Sequence, residues 1–312
     1  MTYLLLISSV FSVYAQDNNI SWINKNARPL QADTSKSLSD LDFLSGTLKD
    51  NTIFAIGEAS HGTREFYNHK KRIIEYLILH LNYKSLGFEI SDSAMEPINQ
   101  YLLTGTGNLK DLMKGFYLYN TTEIYDLFQF IRTHNKKQAP AEQVQLFGFD
   151  RMEYAPMPLE RDQLMAQNII INQNTTHNKT IIWAHNVHIA KDTTMAQYQG
   201  MGYHLNKKFG NKLYALGFDT YKGSVNVITG NGFEKYEFQS AKDTFSALLA
   251  SAKYPDFFIA LSGTDNPLKG VISKMTNIYA NWTEGRSLPV NPGSDFDGMI
   301  FIRESHASAL MK

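Results

Sequence analysis

The sequence predicts an α/β fold: a largely parallel central sheet, mixed at its edge, flanked by helices, with a helical insertion forming one wall of a cleft. Three observations predict it. Short apolar runs such as Ile53 to Ile56 and Thr180 to Ala184 alternate with stretches of helical spacing along the 312-residue chain, the pattern of strands covered on both faces by crossover helices. Several of these runs end on an ionisable residue. No internal repeat and no Pro- or Gly-rich linker divides the chain, so residues 16–312 read as a single domain.

Composition narrows the function. A hydrophobic content of 43% supplies a sizeable core. Lys+Arg and Asp+Glu are both 30, and no basic tract stands out, so nucleic acid is not an expected partner. Cysteine is absent, which excludes disulfides, thiolate nucleophiles and Cys-ligated zinc. The first sixteen residues carry no charge, and their apolar run ends in Val13-Tyr14-Ala15. That small residue predicts a signal peptide over residues 1–15 and a secreted or periplasmic protein; the alternative, because no Lys or Arg precedes the run, is a buried N-terminal strand or helix. No other stretch approaches the ~18 apolar residues of a membrane span.

Taken in order, residues 17–37 are polar and read as an extended lead-in, and Ser37 to Leu48 as a short helix. Ile53 to Ile56 is a buried strand. Gly57 frees the turn at its end, and a helix with Phe66, Ile73, Ile74 and Leu77 on one side follows. Lys84 to Ile90 is a second strand. Residues 91–137 then turn helical, too long for an ordinary crossover. Their aromatics, Tyr119 among them, either line a cleft or pack between helices. Val144 to Asp150 is the next strand, and the helix after it turns Leu159, Leu164, Met165, Ile169 and Ile170 inward. Thr180 to Ala184 leads into His185 and His188. A helix closed by Gly210, a strand from Leu213 to Asp219 and an antiparallel edge at Ser224 to Thr229 come next. Thr244 to Ala252 is helical, and Phe257 to Leu261 and Gly298 to Ile302 complete the strands.

Parallel strands bring their C-terminal ends to one rim, where open α/β sheets bind ligands. That rim collects Glu58, Glu89, Asp150, His185 and Asp219, with His61 and His188 in adjoining turns. Each has a bland reading. Glu58 is suited to capping the following helix. Arg64 with Glu65 reads as a surface ion pair worth under ~1 kcal/mol, Asp150 before Arg151 as a structural pair, and Asp219 as a turn former. Two imidazoles three residues apart beside an apolar strand are harder to dismiss, because they incur a desolvation cost unless partnered.

The chain has no Gly-x-Ser-x-Gly elbow, no phosphate loop and no dinucleotide fingerprint. Histidine and carboxylate remain, and they activate water directly or through a metal. Gly57-Glu58-Ala59-Ser60-His61-Gly62-Thr63-Arg64-Glu65-Phe66, Gly87-Phe88-Glu89, Gly148-Phe149-Asp150 and Trp183-Ala184-His185-Asn186-Val187-His188 resemble, in order and spacing, the erythromycin esterase family. The resemblance runs from Leu41 to Ile302.

It implies a hydrolase that opens esters or lactones, macrolide lactones included, with water and without a covalent serine intermediate. By resemblance His61 is the general base, Glu58 and Glu89 orient base and water, and His185 and His188 bind the substrate carbonyl and its oxyanion. Arg64 and Asp150 are candidate substrate-binding residues, and Lys70 or Arg72 stands where the family carries a basic residue. This reading needs no cofactor and no metal. Its rivals are a zinc hydrolase with His61, His185, His188 and a carboxylate as ligands, and a relative that binds a small ligand or glycan without turnover.

Overall fold

A computed structural model describes residues 17–283 and 287–312; the predicted signal peptide lies outside the described residues. The strands are β1 (Arg28–Pro29), β2 (Ile53–Ile56), β3 (Tyr83–Ser91), β4 (Gln145–Asp150), β5 (Lys179–Trp183), β6 (Leu213–Thr229), β7 (Gly232–Gln239), β8 (Asp256–Ala260), β9 (Ser273–Thr276), β10 (Ser287–Val290) and β11 (Gly298–Ser305). Among the described residues they form a sheet in the order β1-β8-β11-β6-β2-β5-β3-β4, with β7 beside β6, and a separate β9–β10 hairpin. The run from β11 to β4 is parallel. Among the described residues of this sheet the antiparallel pairs are β1–β8, β8–β11 and β6–β7, so the expected mixed edge is present.

Alternation along each strand sends side chains to two cores. Phe54 and Ile56 of β2 face the helix Arg64–Leu81 and the helices of the 91–137 excursion. Ile53 and Ala55 face the opposite layer, which includes the helices Pro158–Thr176 and Met201–Phe209. All four residues are buried, as a strand covered on both faces requires. From β5 the chain crosses to β6 on the far side of β2, so the C-terminal ends of β2 and β5 flank a switch in strand order, where α/β sheets open a crevice.

Four local expectations change. Residues 17–26 are helical rather than extended; Ile23 is fully buried, and tertiary packing overrides the weak helix propensity of the Asn and Asp around it. Ser224 to Thr229 pairs antiparallel as expected, with β7, but it is the far end of β6, continuous with the strand that begins at Leu213. The helix Pro158–Thr176 turns Met165 and Ile169 inward, but Leu159 is exposed because it lies in the first turn, beyond the sheet. Ser37 to Leu48 divides into a 3-10 turn, Ser39–Leu41, and the helix Phe43–Thr47.

Candidate active site

The turn after β2 is fixed by close approaches that only glycine permits. A Cβ on Gly57 would stand 2.1 Å from Asn186 Oδ1, and one on Gly62 2.0 Å from the Asn226 carbonyl. Asn186 ties the turn to β6: its N–H donates to the Glu58 carbonyl at 2.8 Å, while its side chain donates to the Phe218 carbonyl at 2.7 Å and accepts from the Phe218 N–H at 3.2 Å. Glu58 and His61 are therefore held on a rigid loop at the rim.

Glu58 is fully buried and receives four groups. His61 Nδ1 lies 2.7 Å from its Oε1, and the Tyr119 hydroxyl donates to the same oxygen at 3.2 Å. Lys70 Nζ donates to Oε2 at 2.6 Å and Trp183 Nε1 at 3.0 Å. Burial pushes the carboxyl up, but the charge of Lys70 and the hydrogen bond from His61 outweigh it and hold Glu58 below its usual value. Burial lowers Lys70 to about 8 against the pull of Glu58. At neutral pH the pair is ionised. With Nδ1–H directed at a carboxylate, His61 leaves Nε2 bare as an acceptor.

His185 follows β5 and caps the short helix Asn186–Ile189: its Nδ1 accepts from the Val187 N–H at 3.4 Å. That tautomer puts the proton on Nε2, which is buried with no partner among the described residues. Burial and the neighbouring imidazoles lower His185 to about 3, so it is neutral.

His188 is the opposite case. Its Nδ1 lies 2.8 Å from Asp162 Oδ1 and its Nε2 3.2 Å from Glu89 Oε1. Burial alone would lower it, yet the two carboxylates raise it to about 10 and keep it an imidazolium. The same cation, with Arg161, holds Glu89 well below the carboxylate range in spite of burial. Glu89 Oε2 accepts the His185 N–H at 2.9 Å, and Oε1 accepts from Arg161 Nη2 at 3.1 Å. Asp150 grips Arg161 through Nε at 3.1 Å and Nη2 at 2.7 Å.

His61, Glu89, Arg161 and His185 line a cleft of about 470 Å³, walled by Met195 to Tyr198 and by Tyr279. A larger groove of about 740 Å³ beside the helix Phe245–Ala250 carries no such constellation. The excursion reaches the site through Tyr119, and the C-terminal segment binds both: Ser308 N–H donates to Gly62 O at 2.9 Å, Arg64 N–H to His306 O at 2.8 Å, and Met311 N–H to Asn120 O at 2.9 Å.

Glu58, His61, Glu89, His185 and His188 thus converge, as the rim argument requires. Other expectations are corrected. Lys70 is buried beneath Glu58 and stacks 4.2 Å over Trp183, so it positions the carboxylate and cannot reach a substrate. Arg72 is spent on Asp40 at 2.6 Å and the Ser37 carbonyl at 2.7 Å. Arg64 pairs with Glu65 at 2.7 Å beside His306 and does not line the cleft. Asp150 serves Arg161. His188 has both nitrogens engaged by carboxylates and anchors Glu89 instead of a substrate carbonyl. Asp219 lies within β6, bonded to the Thr220 N–H and Ser246, because the strand runs on past it. Among the described residues no three His, Asp or Glu are grouped as a metal-binding set.

Sequence reasoning passed over Arg161, Asp162 and the Trp183 indole. The first two sit inside a helix, where Arg and Asp ordinarily face solvent.

A sequence model of the erythromycin esterase family matches residues 78–157 and 152–305. Among solved structures, the fold is similar to a protein from Bacillus cereus (19% identity, 95% of this chain and 99% of that one, TM-score 0.84) and to a succinoglycan biosynthesis protein (19%, 95% and 99%, TM-score 0.83). It also resembles a variant of the erythromycin esterase EreC in an open conformation (12%, 92% and 99%, TM-score 0.73). With its β2–β6 sheet and its Glu58–His61 and His185–His188 turns set at one rim, this chain belongs to the erythromycin esterase family of hydrolases.

Proposed function

We propose that the protein hydrolyses carboxylic esters or lactones by direct attack of water. The observation that carries this reading is the 2.7 Å contact of His61 Nδ1 with the ionised Glu58, opposite the partnerless Nε2–H of His185. One imidazole accepts a proton and the other donates a hydrogen bond. Water entering the cleft gives its proton to His61 Nε2 while its oxygen attacks the carbonyl carbon, and His185 receives the developing oxyanion. Glu58 stabilises the resulting imidazolium. Collapse of the tetrahedral intermediate breaks the bond to the alcohol oxygen, which takes the proton from His61. No side-chain oxygen is needed as nucleophile; the neighbouring Ser60 hydroxyl is buried and bonded to Thr63.

Turnover of a panel of aryl esters, simple lactones and macrolides tests the reading. Wild-type hydrolysis that His61→Ala abolishes supports it; tight binding of panel members without turnover marks a non-catalytic relative. Among the described residues no helix is long and apolar enough to cross a membrane. The uncharged apolar leader supports export to the periplasm or medium, and a mature N-terminus at Gln16 in exported protein would establish it.

A further inference from the structure

Arg161 has one arm that no carboxylate holds, its Nη1, whose side-chain contact is a long one to a ring nitrogen. Its Nε and Nη2 are committed to Asp150 and Glu89. Beside its Nη1 stands His188 Nε2, at 3.4 Å. That nitrogen faces Glu89 while its ring partner faces Asp162, so in the imidazolium it bears a proton and cannot accept another. A quarter of the Arg161 side chain (25%) is exposed, and it is exposed to the cleft that His61 and His185 line.

Glu89 joins the guanidinium to the His185 backbone through the other arm, Nη2. One of its oxygens takes Arg161 Nη2 and the other takes the His185 backbone N–H. Asp150 fixes the guanidinium plane through two parallel bonds, the geometry in which arginine is most rigidly held. A cation and a neutral N–H are therefore set side by side on one carboxylate.

We propose that Arg161 is a catalytic residue whose Nη1 joins His185 Nε2 in donating to the ester carbonyl oxygen as it becomes an oxyanion. This role rests on the ester-hydrolase reading above. As water oxygen bonds to the carbonyl carbon and its proton passes to His61, the C=O π pair moves onto the oxygen, and the new negative charge lies against the guanidinium. When the pair returns, the bond to the alcohol oxygen breaks and His61 gives that oxygen the proton. A fixed donor aimed at developing charge favours the transition state over the ground state, so its loss lowers kcat more than it raises KM.

The test compares wild type, Arg161→Ala, Arg161→Lys and His61→Ala on p-nitrophenyl acetate. Removal of Arg161 is expected to lower kcat by ~10²–10³-fold, the range for loss of an oxyanion donor, with KM changed less than about threefold. Arg161→Lys should recover part of kcat, and added guanidinium should partly rescue Arg161→Ala. Binding of a methylphosphonate monoester, a tetrahedral anion, is the second measurement and needs no turnover; it should weaken in parallel with kcat even if Arg161→Ala is poorly stable and only Arg161→Lys can be purified. A kcat within threefold of wild type in both variants, or an effect on KM alone, overturns the role of Arg161. If wild type is inert on every ester, the hydrolase reading falls and this role with it; if His61→Ala alone is inactive, the reading stands and only Arg161 is displaced.

Discussion

The rings of His61 and His185 stand 5.0 Å apart, centroid to centroid, and they meet as complements. His61 offers a bare Nε2 because Glu58 holds its other nitrogen. His185 offers Nε2–H because the Val187 N–H occupies its other nitrogen. Both rings are assigned from their partners, and neither could exchange roles without breaking a hydrogen bond.

Replacing His61 by Ala should lower kcat by on the order of 10²–10⁴, the contribution of a positioned general base, with the circular dichroism spectrum unchanged. His185→Gln keeps a donor but misplaces it, and is expected to cost ~10²-fold. Steady-state kinetics on an aryl ester measure both.

Lys70→Ala should destabilise more than it perturbs binding. It leaves Glu58 buried without its counter-ion, a change that costs about 3–5 kcal/mol in comparable buried pairs. Lys70→Met with Glu58→Gln should recover much of that stability while remaining inactive. Denaturant titrations of the single and double variants give the difference.

His188 sets a pH dependence with a definite sign. Its folded-state pKa, about 10, lies above the unfolded value near 6.5. Between these the folded state binds the extra proton, so its stabilisation is full below about pH 6.5 and is lost as pH rises towards 10. Lys70, lowered to about 8, acts in the opposite direction above that pH. Comparison with Asp162→Asn therefore isolates His188: melting temperature should fall less steeply in the variant between pH 7 and 10. Parallel curves would remove Asp162 as its partner.

Deleting residues 306–312 should loosen the site while sparing the sheet. The expected result is faster amide exchange at residues 58–64 and 117–123, a large loss of kcat, and little change in exchange along β2, β5 and β6.

The legible parts of the fold were those where one physical demand dominates. β2 and β5 could be read because a strand covered on both faces must be apolar throughout, and the polar residue that follows such a run falls at the rim. Glu58, Glu89 and His185 were found that way. β7 was not, because Glu234, Lys235 and Glu237 interrupt its apolar residues on an exposed edge. Asp162 was hidden for a different reason: it is a buried acid in a helix rich in polar residues, and its partner His188 lies a strand away. Tyr119 was one aromatic among several, and sequence periodicity does not tell which of them points at Glu58. The resemblance supplied a likeness of blocks, but distinguishing the helix's basic residues required seeing Lys70 under the carboxylate and Arg72 turned towards Asp40.

The C-terminal segment has a consequence for how ligands enter. By joining Gly62 and Arg64 to His306 and Ser308, and Asn120 to Met311, it splices the loop bearing the base to the excursion bearing Tyr119. Those two walls move together or not at all. The doorway is therefore left to Met195 to Gln197, since Tyr279 packs its ring 5.4 Å from that of His185 and the Ile278 N–H donates to the Ala59 carbonyl, contacts that tie that side of the cleft to the proton-transfer apparatus.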